Sequence, residues 1–218
     1  MARKTSSPSR TPADVPSGLD LRTLLAEEFS PGPLAIEYSL VEAVDFSGRQ
    51  SSSFKLKNCA VENVSLSNCT ILSSFFQDVR FRKCNLSNAV LRGNRATRIE
   101  LVECRLTGLK AIECNWRDVL IEGCDARYAQ FNEGSVRISE FRASQFQDAD
   151  FRKTDLGETI FAQAALHRAD LTGAKLRNTD LRGAELSDVT LRAEDLRGAV
   201  VSPAQAMELA RLLGVIIK

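Results

Sequence analysis

Apolar residues recur at every fifth position through most of this sequence. Stepping by five from position 36 to position 201 gives 34 positions, and Ser51 is the only polar residue among them. Because 44% of the chain is apolar, fewer than half of these positions would be apolar by chance. A five-residue period matches neither the 3.6-residue turn of an α-helix nor the two-residue alternation of a β-strand. The backbone must therefore bend at regular intervals and present one residue inward in every five.

A second column of small residues lies two positions before each apolar position. Its members include all six cysteines, Cys59, Cys69, Cys84, Cys104, Cys114 and Cys124. A free cysteine packs as a small apolar residue. No CxxC pair is present and the single histidine, His167, lies in another phase, so we expect free structural thiols, no metal site and no cofactor. Trp116 occupies an apolar position and is expected in the core.

The repeats themselves resemble a known family. Residues 169–173 read ADLTG and residues 179–183 read TDLRG. These blocks resemble the A(D/N)LxG signature of pentapeptide repeat proteins, over about three quarters of the chain. The resemblance implies an all-β fold, a right-handed quadrilateral β-helix in which four pentapeptides form one coil and residues twenty apart stack. Residues 36–201 would then form about eight coils that are stabilised by stacking on their neighbours.

The two ends of the chain differ from the repeat region. Residues 1–17 are rich in Ser, Pro, Lys and Arg without an apolar period, which predicts a disordered N-terminal tail. Residues 18–35 are predicted to cap the first coil and could include a short amphipathic helix. Residues 202–218 predict a helix, with a capping box at Ser202 and Gln205 and a stop at Gly214, followed by a short apolar strand.

The C-terminal segment also predicts a homodimer. A helix that only caps a solenoid does not need the apolar tail that follows Gly214, so a two-fold interface is favoured over a simple cap. The predicted dimerisation residues are Leu209, Leu213, Val215, Ile216 and Ile217.

Charge and motifs exclude several functions. Lys and Arg number 29 against 28 Asp and Glu, a net charge of +1, so direct nucleic-acid binding is not expected. No run of about 20 apolar residues and no signal-peptide core is present, which predicts a cytoplasmic protein without a membrane partner. The sequence has no nucleophile elbow, phosphate-binding glycine loop or HExxH motif, so we expect no enzymatic activity.

Partner-binding residues are expected at outward positions. When the charged residues are assigned to the four sides of the coil by the twenty-residue stacking, one side shows an acidic stripe with no basic residue until Arg142. The stripe is interpreted as a partner-binding surface, and the alternative is an ordinary solvated face. The stripe consists of Glu100, Glu103, Glu122 and Glu140. Residues 93–98 (GNRATR) place Asn94 at an inward position, which predicts a bulge that would make Asn94 and Arg95 a second recognition feature.

The family resemblance suggests a function. The C-terminal segment resembles that of the quinolone-resistance and antibiotic self-immunity members through Gly198, Val201, Gln205, Leu209, Leu213, Gly214, Val215 and Ile217. Those members are rod-shaped dimers that bind type II DNA topoisomerases, above all DNA gyrase, and protect them from inhibitors, in some cases as mimics of duplex DNA. The resemblance implies the same partner here, although a neutral chain differs from the acidic mimics. The alternative is a rigid protein–protein interaction scaffold with no topoisomerase role.

Overall fold

The computed structural model describes residues 9–21, 33–212 and 214–216. A 3-10 helix spans Ala193–Leu196, and the helix α1 spans Pro203–Leu212. The strands are β1 (Asp20–Leu21), β2 (Pro33–Glu37), β3 (Ser39–Glu42), β4 (Gln50–Ser51), β5 (Ser53–Glu62), β6 (Thr70–Leu72), β7 (Phe75–Arg82), β8 (Val90–Arg92), β9 (Arg95–Val102), β10 (Lys110–Ile112), β11 (Asn115–Glu122), β12 (Ser135–Arg137), β13 (Glu140–Arg142) and β14 (Ile160–Ala162).

Parallel pairing between residues twenty apart stacks the coils. β2 pairs with β5, β5 with β7, β7 with β9 and β9 with β11 in this register, and isolated bridges carry it on to Asp180 and Val200. The long strands β5, β7, β9 and β11 each cover two sides of a coil. β4, β6, β8 and β10 form a third side, and a column of bridges starting at Asp45 and Ser65 forms the fourth. The predicted quadrilateral β-helix is confirmed.

A residue in the left-handed conformation turns the chain at the corners. It lies two positions after most of the apolar positions, as at Asn68 (φ 56°), Asn88 (φ 55°) and Gly173 (φ 73°). Asn, Asp and Gly enter this region at the lowest steric cost. The last residue of the repeat signature is therefore a glycine for a conformational reason.

The core contains the apolar column as predicted. Even the polar member, Ser51, is buried. Trp116 is 2% exposed and meets the edge of Phe131 with ring centroids 5.9 Å apart, and Phe131 in turn stacks on Phe151 at 5.1 Å. Because residues twenty apart lie in contact, side-chain volumes compensate along the axis, as the small Ala96 does beneath Trp116.

The column of small residues bonds each coil to the coil before it. The Thr154 hydroxyl donates to the Phe131 carbonyl at 2.8 Å, and the Cys69 thiol makes the equivalent bond to the Phe46 carbonyl at 2.8 Å. All six cysteines are buried and free, as predicted. Cysteine thus replaces threonine in a structural position and makes the same kind of bond.

The N-terminal region corrects two predictions. Residues 9–17, predicted to be disordered, instead lie against the outside of the solenoid and bond to it. Asp20–Leu21, which fell in the region where a short helix was considered, form strand β1 and pair with β3. Residues 22–32 of that region lie outside the described residues, as do residues 1–8, and residues 33–35 belong to β2.

The C-terminal region agrees with the prediction up to the end of the helix. The Ser202 amide donates to Gln205 Oε1 at 2.9 Å, and the Gln205 amide donates to Ser202 Oγ at 3.3 Å, so the capping box is confirmed. Val215 and Ile216 follow the turn at Gly214 as irregular chain, which contradicts the expected strand for these two residues. No helix in the described parts of the chain has the length and apolar character needed to cross a membrane.

Candidate functional site

The first residue of the predicted acidic stripe, Glu100, is buried. It lies in β9 with Arg80 beside it in β7, and Arg80 Nε donates to Glu100 Oε2 at 2.8 Å. The guanidinium of Arg10 lies 3.5 Å from the other carboxylate oxygen, and Glu100 is 7% exposed. Glu100 is therefore already bound within the molecule and does not present a free negative charge.

The other three residues of the predicted stripe do not form one continuous surface. Glu103 is exposed but sits at a corner, in the left-handed conformation. Glu122 and Glu140 share Arg142, whose guanidinium donates to Glu122 Oε1 at 2.9 Å and to Glu140 Oε1 at 3.0 Å. The stripe was wrong as a contiguous acidic patch, because Arg80 pairs with Glu100 from a neighbouring coil and Arg142 pairs with both Glu122 on a neighbouring coil and Glu140 in its own strand.

The bulge predicted at residues 93–98 is absent, because β9 keeps the twenty-residue register with β7 and β11 throughout. Asn94 points inward and is fully buried, and its Oδ1 accepts a bond of 2.8 Å from the indole nitrogen of Trp116. Asn94 therefore cannot contact a partner from this position. Arg95 is exposed in β9 and remains available to one.

The structure instead brings residues 9–17, here called the N-terminal segment, onto one corner of the solenoid. Three main-chain N–H groups donate to carboxylates: Thr11 to Asp118 at 3.0 Å, Ala13 to Glu100 at 3.3 Å, and Asp14 to Asp78 at 3.1 Å. The Asn58 side-chain amide donates to the Asp14 carbonyl at 3.0 Å. We call Asn58, Asp78, Glu100 and Asp118 the docking surface.

The geometry of the docking surface comes from the coil register. Asn58, Asp78 and Asp118 occupy the same left-handed corner position on different coils, with φ between 52° and 57°. Arg98, on the coil between the last two, donates to both Asp78 oxygens at 2.6 and 2.7 Å. The Arg98 bonds, assisted by the Asp14 amide, lower the pKa of Asp78 below its ordinary value. The surface is thus an ordered line of hydrogen-bonding groups parallel to the solenoid axis.

The C-terminal helix closes the end of the solenoid. The Gln205 side chain donates to the carbonyls of Leu181 and Ala184 at 2.7 and 2.8 Å. Leu209, predicted to lie in a dimer interface, is 3% exposed and packs into the protein's own core. That assignment was wrong, because the apolar face of the helix covers the last coil.

The remaining predicted dimer contacts lie beyond the helix. Val215 and Ile216 are 53% and 84% exposed, whereas Leu213 and Ile217 lie outside the described residues. A cavity of about 210 Å³ also opens between the last coil and α1. It is lined by Leu196, Ala199, Val201, Ala206, Leu209 and Ala210.

Comparison with protein families identifies the repeat. A model described as a pentapeptide repeat region matches residues 74–151, and a model of eight pentapeptide repeats matches residues 144–183. Together they cover residues 74–183, just over half of the chain. The chain belongs to the pentapeptide repeat family. The matched region runs from just before β7 through the regular coils beyond β14.

Two solved structures are similar to this pentapeptide repeat protein. Trypsin-treated QnrB1, a plasmid-mediated fluoroquinolone resistance protein, is 20% identical with a TM-score of 0.44, and the match covers 87% of this chain and 92% of that chain. HetL, involved in heterocyst differentiation regulation in the cyanobacterium Nostoc sp. strain PCC 7120, is 20% identical with a TM-score of 0.36, covering 78% and 90%. No curated protein sequence matches this chain at a significant level.

Two buried thiols of this pentapeptide repeat protein, Cys104 and Cys114, are poor nucleophiles. Cys104 lies between Cys84 and Cys124 along the axis, and the hydrogen bonds with the Cys124 and Cys84 thiols, together with burial, raise the pKa of Cys104. Burial raises the pKa of Cys114 to about 12. Since the thiolate is the reactive form, a raised pKa makes these thiols inert. No group of His, Cys, Asp and Glu within the described residues is arranged to hold a metal ion.

Two open depressions on the described part of this pentapeptide repeat protein are lined mainly by polar side chains. One of about 470 Å³ contains two arginines that are already paired: Arg127 with Asp125 at 2.8 Å and Arg168 with Asp148 at 2.7 Å. The Arg168 bonds lower the pKa of Asp148, so this pair stays ionised at neutral pH. The geometry provides extended surfaces for a macromolecular partner more readily than an enclosed site for a small substrate.

Proposed function

We propose that this pentapeptide repeat protein is a non-enzymatic, cytoplasmic binding protein that engages a type II DNA topoisomerase, DNA gyrase, and protects it from inhibitors such as quinolones. The partner would bind the outer surface of the solenoid, since the interior is filled by side chains. Free cysteines agree with a reducing compartment.

The C-terminal end is the observation that carries this proposal. Gly198 turns the chain at φ 84°, Ser202 and Gln205 cap α1, and Val215 and Ile216 follow as exposed apolar residues. These features correspond to the C-terminal sequence on which the resemblance to the quinolone-resistance members depends. They support a shared arrangement at this end of the rod.

The proposal is tested by DNA supercoiling with purified gyrase, ATP, a relaxed plasmid and a fluoroquinolone while the protein is titrated. We expect less drug-stabilised cleaved DNA and partly restored supercoiling at micromolar protein, the range of about −8 kcal/mol of binding free energy. If neither cleavage nor supercoiling changes at saturating protein, with or without the drug, the topoisomerase role is abandoned.

Variants of the exposed glutamates locate the contact surface. Glu122→Lys combined with Glu140→Lys reverses the charge around Arg142, and Glu113→Lys is the matched control at another corner, where Glu113 pairs with Arg92 at 2.9 Å. Loss of protection only in the double variant supports contact through Glu122 and Glu140. Equal protection by both variants rejects this surface and leaves the topoisomerase proposal standing.

A rigid interaction scaffold without a topoisomerase role is the second candidate. The observation that favours it is the extent of charge pairing on the described surface, as in the Arg127–Asp125, Arg168–Asp148 and Arg142–Glu122 pairs. Such pairing leaves little of the uncompensated negative charge that a mimic of duplex DNA requires. The supercoiling assay separates the two candidates.

We further propose a homodimer formed through the C-terminal tail. Val215 and Ile216 would leave water by packing against the same two residues of a second copy. Light scattering should give twice the chain mass of 24.0 kDa. Replacing Val215 and Ile216 by serine should give the monomer mass. Leu72→Ser, which changes a 44% exposed apolar residue far from the C-terminus, should keep the dimer mass. A wild-type mass of one chain contradicts the dimer.

A further inference from the structure

Hydrogen bonds and one ion pair hold the N-terminal segment on the solenoid. Among residues 9–17, Ala13 is the one buried apolar residue, and Val15 and Pro16 are half-buried. A segment of this kind has little buried apolar area to offset the entropy lost on ordering it. Its attachment therefore depends on the carboxylates of the docking surface.

Most of these contacts read the main chain of the segment. Asp118, Glu100 and Asp78 accept backbone N–H groups, and Asn58 donates to a backbone carbonyl. Such bonds fit any extended peptide of suitable spacing and do not depend on its side chains. The docking surface is therefore suited to bind peptide backbone in general.

Two side chains of the segment add selectivity. The Arg10 side chain is only 13% exposed and its guanidinium faces the Glu100 carboxylate, whose side chain is 9% exposed. The Coulomb attraction between charges so shielded from water is stronger than that between exposed charges. Ala13, three residues later, lies at a buried position that suits a small side chain. The segment thus presents an arginine followed three residues later by a small residue.

The docking surface does not depend on the segment for its shape. Asp78 is held by Arg98, Glu100 is held by Arg80, and the strands that carry them are fixed by their register with neighbouring coils. A site that keeps its geometry without its occupant needs no reorganisation to bind another.

We propose that the docking surface is a binding site for an extended, arginine-bearing peptide of a partner protein, and that residues 10–14 occupy it as an intramolecular competitor. The partner's peptide displaces the N-terminal segment and makes the same bonds to Asp118, Glu100, Asp78 and Asn58. This inference goes beyond topoisomerase binding and holds for a partner of any class that presents such a peptide.

The test uses the full chain with a weakened N-terminal segment. Arg10→Glu replaces the ion pair with a like-charge repulsion, Ala13→Pro removes the N–H that donates to Glu100, and both substitutions leave the residues of the solenoid unchanged. A fluorescent peptide with the sequence of residues 9–17 (SRTPADVPS) is then titrated against each protein. We expect the double variant to bind it at least about tenfold more tightly than the wild type, and binding to weaken with salt.

Two controls identify the site. Adding Glu100→Gln to the double variant should weaken peptide binding about tenfold, whereas Glu113→Gln, at another corner, should leave it unchanged. A peptide in which the arginine is replaced by glutamate should not bind. A folded double variant that fails to bind the peptide, or binds it equally well with Glu100→Gln, overturns the proposal.

A second measurement needs no variant. Excess unlabelled peptide should accelerate hydrogen exchange at the amides of Thr11, Ala13 and Asp14 in the wild-type protein, because their acceptors become occupied by the peptide. Unchanged exchange at these three amides, at a peptide concentration that saturates the double variant, would show that the segment is a permanent part of the fold and would overturn the proposal.

Discussion

Replacing Asn94 by alanine should destabilise the protein by leaving the indole N–H of Trp116 without its acceptor. Asn94 is fully buried and accepts that N–H at 2.8 Å. Stranding one partner of a buried hydrogen bond costs about 1–3 kcal/mol, and the void left by the amide adds about 1 kcal/mol. Asn94 Nδ2 has no partner among the described residues, so its removal returns part of this cost. We expect a net loss of about 1–3 kcal/mol.

A double-mutant cycle isolates the bond from the packing. Trp116→Phe strands the Asn94 amide and should also destabilise the protein, but the double variant Asn94→Ala with Trp116→Phe removes both polar groups together. Its cost should fall short of the sum of the single costs by about 1–3 kcal/mol. Urea unfolding followed by circular dichroism is the suitable assay, because Trp116 is the only tryptophan and Trp116→Phe removes the fluorescence signal.

Arg95→Ala is the matched control, since Arg95 neighbours Asn94 and is exposed. It should change the free energy of unfolding by less than about 0.5 kcal/mol. If the two single effects add within error, or if Asn94→Ala is neutral, then Asn94 does not stabilise the protein by satisfying Trp116 and the reasoning fails.

The remaining predictions address three other parts of the protein. Gln205→Ala should lower the unfolding midpoint by removing the acceptor of the Ser202 amide and two bonds to the last coil, at a cost of about 1–3 kcal/mol, and an unchanged midpoint contradicts this. Because Arg98 lowers the folded-state pKa of Asp78, the stability that Asp78 contributes is present above its unfolded pKa of about 3.9 and is lost as pH falls through the lower folded value. Unfolding at a series of pH values should therefore show a smaller acid loss in Asp78→Asn than in the wild type, and identical pH profiles would refute the assignment. All six thiols should resist a thiol reagent at pH 8 in native protein and react fully in denaturant, whereas fast native labelling of Cys114 would contradict its raised pKa.

The fold could be predicted from the sequence because the same pattern of inward and outward residues recurs in every pentapeptide. An inward apolar residue, a small residue two positions before it and a left-handed residue two positions after it recur along the chain, as at Leu171, Ala169 and Gly173. One irregular repeat does not obscure a pattern of this length. The four corners per coil, and with them the twenty-residue register, are what the resemblance to the pentapeptide repeat family implies.

Asn94 shows how far the stacking rule could have been taken. Its inward position was predicted, but a polar residue there was interpreted as a bulge. Trp116 stacks on the coil that contains Asn94 and carries an N–H that needs an acceptor. The hydrogen bond between these two residues could be predicted from the sequence, because both positions point inward and a buried indole N–H usually has an acceptor.

Leu209 and the N-terminal segment could not be predicted in the same way. Helical periodicity shows that α1 has an apolar face but does not say whether that face covers the same chain or a second copy. The N-terminal segment is bound mainly through main-chain N–H groups, which every residue but proline carries, so most of its side chains give no signal in the sequence. Asp78 and Asp118 accept these N–H groups at a corner position of the repeat. Asp148 occupies the same corner position but has no such contact in the described structure, so the position alone does not predict the bond.

Recognition by this protein depends on where charge pairing between coils leaves hydrogen-bonding capacity unused. Residues twenty apart lie side by side, so an acid on one coil meets a base on the next, as Asp148 meets Arg168. Summing the charges on each side of the coil counts the two members of such a pair as unpaired charges, so it overestimates the negative charge of the acidic stripe. At the docking surface, Asp78 and Glu100 each have a basic partner and still accept a main-chain N–H from the N-terminal segment. Held in line along the axis, these carboxylates accept N–H groups that come from outside the coils, whereas Asp150 and Asp180 accept those of Arg152 and Arg182 two residues on. This difference favours the docking surface as the binding site of a partner peptide.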